Sequence, residues 1–373
     1  MTEAAFIYDI ILSKHVLRED HPLRPFRLQY AYELLDAYGA FDGSTSKIVS
    51  PQPADEDILL TFHTKDYIEV VKSLSRGEKV SNQSTYNFSI YGDNPPYEGM
   101  YEASILPVGA SLIAAKVVAD GEFDVAFNIS GGLHHAASNY ASGFCVFNDL
   151  VIAIKSLLGK GMRVAYIDID AHHGDGVQNA FYDSDKVLTI SIHESGSFLF
   201  PGTGEVTEIG TGDGKGYAVN LPLYPHTEDD TYLWAFREIV PPLVTSFKPD
   251  IVVSQLGCDT HYLDPLTHLM LTTWGYTEVV KEVKRLAPRW VALGGGGYDM
   301  GTVARCWTLA YGVMIGKDWE DEVPEAYQQK YGIKKLRDKD VPQLADRTKD
   351  QVRSSAQEMV EELRRLVFPK HGL

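Results

Sequence analysis

The chain has 373 residues, 44% of them hydrophobic, enough for a large buried core arranged as one big α/β domain or as two to three smaller ones. A formal net charge of −17 argues against general nucleic-acid binding, any local basic patch aside, and would suit a cationic substrate as well as plain solubility. No uninterrupted apolar run reaches the roughly 18 residues that span a bilayer, and the early patch AAFIYDIIL is broken by Asp9 and lacks a basic leader and cleavage site, so a soluble, unexported protein without a membrane partner is expected.

In chain order, FIYDIIL reads as a strand, and RPFRLQYAYELLDAY (Arg24 to Tyr38), set up by Pro22 and Pro25, as an amphipathic helix. Arg27, at its start, has the local context of an ordinary surface ion-pair residue. Glu56 to Leu74 has helical spacing, whereas Ser81 to Tyr97, containing YGDNPP, is loop chemistry with Asp93 as its only unpaired carboxylate. So long an irregular stretch inside a compact domain is more often functional than idle. A helix from Tyr101 to Ala119 leads into the strand FDVAFNI, which ends at Gly131-Gly132 and His134-His135. The glycines permit a tight turn at a strand's carboxyl end; the histidine pair, taken alone, is more often incidental than catalytic. GFCVFND then sets Phe144 and Phe147 around a buried cysteine, and Asn148 to Leu158 is the next helix.

The run VAYIDIDAHHGD, Val164 to Asp175, begins as a buried strand and continues with Asp168, Asp170 and His172 at intervals of two, which puts all three on one face of an extended chain. An isolated Asp-x-His is as a rule a helix-cap cluster with a satisfied histidine, so its partners decide whether it binds metal. KVLTISIH (Lys186 to His193) is another strand. The glycine-rich FPGTGEVTEIGTGDGKG lacks the GK[ST] ending of a phosphate loop and reads as surface turns. A helix over Asp229 to Phe247 and the strand DIVVSQLG follow, ending in Gly257-Cys258-Asp259. After a helix from Tyr276 to Leu286, the strand RWVAL runs into Gly294 to Gly297 and Tyr298; four glycines at a strand end imply that something approaches the backbone closely. Strands and helices alternate at least six times without a repeat or linker, as in one parallel α/β domain with helices on both faces. Residues 319–373 form a charged, mostly helical extension to the domain of residues 1–318, packed on it, with Gln351 to Leu366 the clearest helix.

Four strand ends therefore converge on one edge, carrying His134-His135, Asp168 to Asp175, Asp259 and Tyr298. Asp170, His172 and Asp259 make a mononuclear site of two carboxylates and one imidazole, open to water and substrate and suited to zinc or a ferrous-type ion. Cys145, Cys258 and Cys306 are too scattered for a disulfide framework or a thiolate zinc site and fit reduced thiols in a cytosolic protein. Asp168 and Asp175 are left to orient histidines, and Tyr298 to donate to a developing oxyanion; together these parts fit metal-assisted hydrolysis of an amide or ester.

The set HPLRPFR, YGDNPPYEG, SGGLHHA, GFCVFND, YIDIDAHHGDGVQNAFY, FPGTG, QLGCDTHYLDP and GGGGY resembles the zinc-dependent histone deacetylase family of the arginase/deacetylase superfamily. It is most similar to the family's bacterial members, the histone-deacetylase-like and acetoin-utilisation proteins. The resemblance covers about residues 6 to 316 in order. It implies an open α/β fold with an eight-stranded parallel sheet and a narrow tunnel leading to one zinc held by Asp170, His172 and Asp259. It implies that His134 pairs with Asp168 and His135 with Asp175, that His135 is the main general base, and that His134 gives electrostatic and acid help. By position, Tyr298 polarises the acyl carbonyl, Gly143, Phe144 and Phe200 are tunnel walls, and Leu266 lies at the rim. Asp93 grips the substrate backbone, and Arg27 belongs to an internal cavity for acetate release. Potassium is implied near Asp168, Asp170, His172, Ser191 and Ile192, with a second site near Phe181, Ser184 and Val187. The implied reaction is hydrolysis of an acyl-lysine side chain in a protein or peptide, in the cytoplasm. An acetylpolyamine amidohydrolase shares these motifs, and a silent acyl-lysine-binding protein is the alternative of another class. A two-manganese ureohydrolase site would need a carboxylate at position 174, where this chain has Gly174, although His261 could serve as a second-site ligand.

Overall fold

Eight strands pair side by side, all parallel, in a computed structural model that describes residues 3–339, 341 and 343–373. They are β1 (Ala4–Ile7), β2 (Ser46–Val49), β3 (Val125–Asn128), β4 (Val164–Asp168), β5 (Val187–Glu194), β6 (Ala218–Leu223), β7 (Ile251–Gln255) and β8 (Trp290–Leu293), in the order β2-β1-β3-β8-β7-β4-β5-β6. Every residue of these strands is buried except three of the four in edge strand β2. Burial on both faces explains why the central strands read as continuous apolar runs rather than alternating ones.

The helices are α1 (Arg27–Ala37), α2 (Glu56–Leu59), α3 (Lys65–Ser75), α4 (Met100–Ala119), α5 (Asp149–Gly159), α6 (Asp175–Ala180), α7 (Asp229–Phe247), α8 (Thr273–Leu286), α9 (Met300–Ile315), α10 (Glu325–Tyr331) and α11 (Asp346–Leu366). α4 is long and apolar enough, by length and composition, to cross a membrane, although Glu102 and Lys116 interrupt its apolar run. It packs against α3, α5 and β3 as a core helix. The expected helix over Glu56 to Leu74 is two, α2 and α3, with a new start at Thr64, whose hydroxyl caps Tyr67 N. The N-terminal strand stops at Ile7; Asp9 then accepts from Ile11 N at 2.9 Å and starts a single 3₁₀ turn.

Because β3 and β4 are separated by β8 and β7, successive chain segments leave the sheet in opposite directions between them. That reversal opens a crevice at the carboxyl ends of the four middle strands, where doubly wound sheets hold their ligands. The C-terminal segment reaches towards both ends of the sheet: α11 packs on α7 and edge strand β6, and α10 is tied to α1, the crossover between β1 and β2, through Lys330 and Glu33 at 2.6 Å. Between them Asp338 accepts from Arg305 Nη1 (2.6 Å), His261 Nε2 (2.8 Å) and Thr273 N (2.8 Å).

Candidate active site

The turn after β3 is built around a buried carboxylate. Asp149, the first residue of α5, accepts from Gly132 N at 3.0 Å and Leu133 N at 2.8 Å. A Cβ on Gly132, whose φ is +92°, would stand 2.7 Å from Gly295 N, so the glycines after β3 and β8 let two strand-end turns pass in contact. Asn148 caps α5 and donates to His134 O and Ala136 O, fixing the histidine pair to a helix N-terminus.

Both histidines then face a carboxylate from the β4 run. His134 Nδ1 lies 2.8 Å from Asp168 Oδ2, and His135 Nδ1 lies 2.7 Å from Asp175 Oδ1. With each Nδ1–H donated to a carboxylate, the two Nε2 atoms meet 3.0 Å apart and share one proton between them. Burial disfavours the His134 cation, but the charges of Asp168 and Asp170 outweigh it and hold its pKa up at about 9. Burial, together with the neighbouring His134 cation, pushes His135 down to about 4 despite its bond to Asp175. The pair is thus divided into a proton-holding His134 and a neutral, lone-pair-bearing His135.

Asp170, His172 and Asp259 meet beside this pair, with ligand atoms all within 4.8 Å of one another. His172 Nδ1 is 3.1 Å from Asp170 Oδ1 and 3.0 Å from Asp259 Oδ2, near the ~3.3 Å edge of a tetrahedron drawn by metal bonds of about 2.0 Å. The outer oxygens are already held: Asp170 Oδ2 accepts from Gln255 Nε2 (2.5 Å) and Gly296 N (2.7 Å), and Asp259 Oδ1 from Ala171 N (2.8 Å). Burial and the adjacent Asp170 push Asp259 up to about 8, so the two carboxylates need a positive centre between them. Two buried carboxylates and one imidazole, none a thiolate, fit zinc, with their other oxygens fixed as outer hydrogen bonds fix metal ligands.

Tyr298 completes the floor. Its backbone N donates to Asp264 Oδ2 at 2.8 Å, its ring lies 6.4 Å from that of His172, and burial with the charges of Asp259 and Asp170 raises its hydroxyl well above the phenol range, keeping it a donor. Phe144 stands edge-on to Tyr298 at 5.8 Å and Phe200 edge-on to His135 at 5.0 Å, so both are walls. A Cβ on Gly143 would stand 2.3 Å from His135 and 2.9 Å from Phe200, so only glycine leaves this wall open. Phe144 itself has φ +68°, a rare conformation for a bulky residue, kept here at the wall of the site. Leu266 is half-buried on the loop after β7, and its N donates to Asp264 Oδ1. Asp93 is exposed on its loop, whose carbonyl at that residue lies 3.1 Å from His21 Nε2.

Arg27 is not a surface residue, as its local context suggested, but is buried against the glycine turn: Nη1 and Nη2 donate to Gly297 O and Gly295 O, both at 2.7 Å, and the guanidinium lies over Trp307. It lines a cavity behind Phe144 and Leu133. Of the residues connected with potassium, Ser191 pairs in register with Asp168, Ile192 follows it in β5, and Phe181, Ser184 and Val187 form the turn from α6 into β5. His261 is no second-site ligand: Nε2 is engaged by Asp338 and Nδ1 accepts from Leu263 N. A Cβ on Gly174 would meet Asp168 Oδ2 at 2.3 Å, so a carboxylate there has no room either.

The glycine-rich loop after β5 is more than surface turns. His173 Nδ1 lies 2.9 Å from Thr203 Oγ1 and Nε2 3.2 Å from Gln178 Oε1; Gln178 Nε2 donates to Glu208 Oε2, whose other oxygen accepts from Gly204 N and Glu205 N. His193 Nε2 lies 3.0 Å from Gly204 O. The neighbour of His172 thus fastens the loop bearing Phe200, a role that no local spacing displays.

Fold and site together define a metal-dependent α/β hydrolase. The family model described as histone deacetylase domain matches residues 21–314. The chain is 42% identical over 338 residues to the acetoin utilization protein AcuC of Bacillus subtilis, covering 89% of this chain and 87% of that one. It is 37% identical over 327 residues to histone deacetylase 1 of Homo sapiens, covering 86% and 66%, and so spans about two thirds of that relative's length. Of solved structures, it is similar to an HDAC homolog complexed with SAHA (TM-score 0.88, 30% identity, 97% of this chain and 100% of that one) and to an HDAC homolog from Aquifex aeolicus (0.86, 31%, 95% and 100%). The chain belongs to the histone deacetylase family, whose members are zinc-dependent.

Proposed function

We propose that this protein hydrolyses the side-chain amide of acetyl-lysine, or of another acyl-lysine, in proteins or peptides, with one zinc held by Asp170, His172 and Asp259. The observation that carries the reading is the convergence of that ligand triangle with the two histidine–aspartate pairs and Tyr298 on adjacent strand ends. Zinc there would supply Lewis-acid polarisation of the acyl carbonyl and lower the pKa of water. His135, neutral, takes the proton of the attacking water, and Asp175 steadies the imidazolium that forms. Tyr298 donates to the oxyanion of the tetrahedral intermediate. His134, holding its proton against Asp168, gives electrostatic support and a proton for the departing amine.

The walls Gly143, Phe144 and Phe200 admit a narrow aliphatic chain, with Leu266 and Asp93 at the entrance and Asp93 gripping the substrate backbone. Arg27 serves the cavity behind the floor, where its Nε and both polar side-chain atoms of Asn94 have no hydrogen-bond partner among the described residues, a lining suited to a released carboxylate such as acetate. Potassium at the Asp168–Ser191 and Phe181–Val187 positions and a cytoplasmic setting belong to the same reading, the latter supported by three cysteines that are buried as free thiols. The test is to measure metal content and acetate release together. One zinc per chain, with turnover of an acetyl-lysine peptide that stops on chelation and returns with zinc, is expected. Zinc-loaded protein inert on every acyl-lysine peptide and acylpolyamine would instead be a binding protein.

A further inference from the structure

The stretches that bear the entrance residues Asp93, Gly143, Phe144, Phe200 and Leu266 hold little charge in a strongly acidic chain. Residues 88–97, 137–144, 195–204 and 260–268 include no lysine or arginine and only two carboxylates, Asp93 and Asp264. Asp264 is buried and turned inward to Leu266 N and Tyr298 N, which leaves Asp93 as the one exposed carboxylate within these stretches; exposed Glu98 and Glu205 flank them, and Arg18, ion-paired with Asp20, adjoins the Ile90 turn beside exposed Glu19.

The same loops expose large apolar side chains. Tyr91 is 91% exposed, Ile90 60%, Phe198 49% and Leu263 48%, with Tyr140 and Phe200 also exposed. Scattered single apolar residues on a surface need no explanation, whereas a cluster around a site marks a contact surface. These residues belong to one ring, because the loops that bear them are tied to each other or to the channel. Arg18 Nη1 donates to Ile90 O (2.9 Å) and Gly92 O (3.3 Å), and His21 joins Asp93 O to the edge of Phe144. Asn87 Nδ2 donates to Ala141 O at 2.8 Å, tying the Tyr140 loop to the Ile90 loop. Buried Glu194, at the end of β5 where the Phe198–Phe200 loop begins, accepts from His268 N at 2.7 Å and so holds the Leu263–Leu266 loop beside it. Phe200 closes the circuit against His135.

We propose that this ring is a docking surface for an extended peptide whose acyl-lysine is flanked by apolar or aromatic residues, with Asp93 as its one charged acceptor for backbone N–H groups. The inference rests on the deacylase reading and names its substrate class. A basic tail or a polyamine carries several cations, and these stretches offer them one carboxylate, with neighbouring Asp20 already paired to Arg18; an apolar flank loses water against six exposed apolar side chains on loops that are tied together. At physiological salt the charges elsewhere in the chain are screened beyond about 8 Å.

The experiment compares kcat/KM, at physiological salt, for acetyl-lysine peptides flanked by Phe or Leu, by Ala, by Glu and by Lys or Arg, together with a monoacetylated polyamine and a flank-free acetyl-lysine amide. Aromatic or aliphatic flanks are expected to exceed alanine about tenfold, the gain of seating one such side chain, with basic flanks and the polyamine below alanine. In the Tyr91→Ser and Phe198→Ser proteins the ratio of aromatic-flanked peptide to flank-free amide is expected to fall toward that of the alanine peptide. Highest turnover with basic flanks or with the polyamine, or a flank preference that survives both substitutions, would overturn the docking surface. No turnover of the flank-free amide or of any peptide would instead overturn the deacylase reading beneath it.

Discussion

Two residues at this centre show how a side chain's job follows from what it faces. Tyr298 is kept a phenol by burial and by Asp259 and Asp170, so its hydroxyl can only donate, and no ligand atom of the Asp170–His172–Asp259 triangle is its own. Tyr298→Phe is therefore expected to retain zinc while kcat falls by about two to three orders of magnitude, the usual cost of one oxyanion donor. Near-normal turnover in the zinc-loaded variant would remove Tyr298 from the mechanism. His173 touches none of the reacting groups and instead holds Thr203 and Gln178. His173→Leu removes the hydrogen bond to exposed Thr203 and one of the two on Gln178 Oε1, which still accepts from Asn220 Nδ2, so the cost is about 0.5–1.5 kcal/mol of stability. It also frees the loop bearing Phe200, so KM for an acetyl-lysine peptide should rise several-fold with zinc content unchanged. A loss of stability with KM unaltered would make His173 a purely structural residue.

At the scale of elements, Asp338 is the join between the C-terminal segment and the sheet edge that carries the site. It ties Arg305 of α9, Thr273 of α8 and His261, which lies two residues after Asp259. Burial pushes its carboxyl up, but the hydrogen bond and charge of His261, the bond from Thr273 N and the charge of Arg305 prevail and hold it well below the usual carboxylate range. A carboxyl held below its unfolded value of about 3.9 contributes stability that is present above about pH 4 and is lost as pH falls through its folded value. Asp338→Asn, which leaves Arg305 buried without its counter-charge, is expected to cost about 3–5 kcal/mol near neutrality and to flatten the decline in stability below about pH 4. Denaturant midpoints across that range for the two proteins check both points, and parallel acid limbs would dismiss the Asp338 contribution.

The same scale explains what was legible in the sequence. The strands βαβ logic needs, β3, β4, β5, β7 and β8, announce themselves as apolar runs because both sheet faces are covered. β2 does not, since SKIV lies at an edge and buries only Ser46, and β6 is hidden behind a glycine-rich loop and carries Pro222. α9 is buried nearly all round and presents no amphipathic stripe, so its helical period is hidden in the sequence. The Asp170–His172–Asp259 triangle and the two histidine–aspartate pairs were legible as a convergence because strand ends carry them in short runs. The network of His173, Gln178, Glu208 and Gly204, the burial of Arg27 and the structural employment of His261 were not, because each joins segments that only tertiary packing brings together.

For the whole molecule, the site is also a point of stored electrostatic cost. Asp168, Asp170, His172 and Asp259 are all buried where the neighbouring strands β4 and β7 end, so the charges that would bind metal are the same charges that burdened the core when it closed. Metal binding to the folded chain, whose ligands come from the ends of β4 and β7, should stabilise the whole sheet rather than a local loop, by about 2.7 kcal/mol when free zinc is a hundred times its Kd. Chelation is accordingly expected to lower the Tm of the entire cooperative transition, and added zinc to restore it in a concentration-dependent way. Asp259→Ala, which removes one ligand and the like-charge partner of Asp170, should be insensitive to both treatments. If zinc instead left the wild-type Tm unmoved, the triangle of Asp170, His172 and Asp259 would not be where this protein holds its metal.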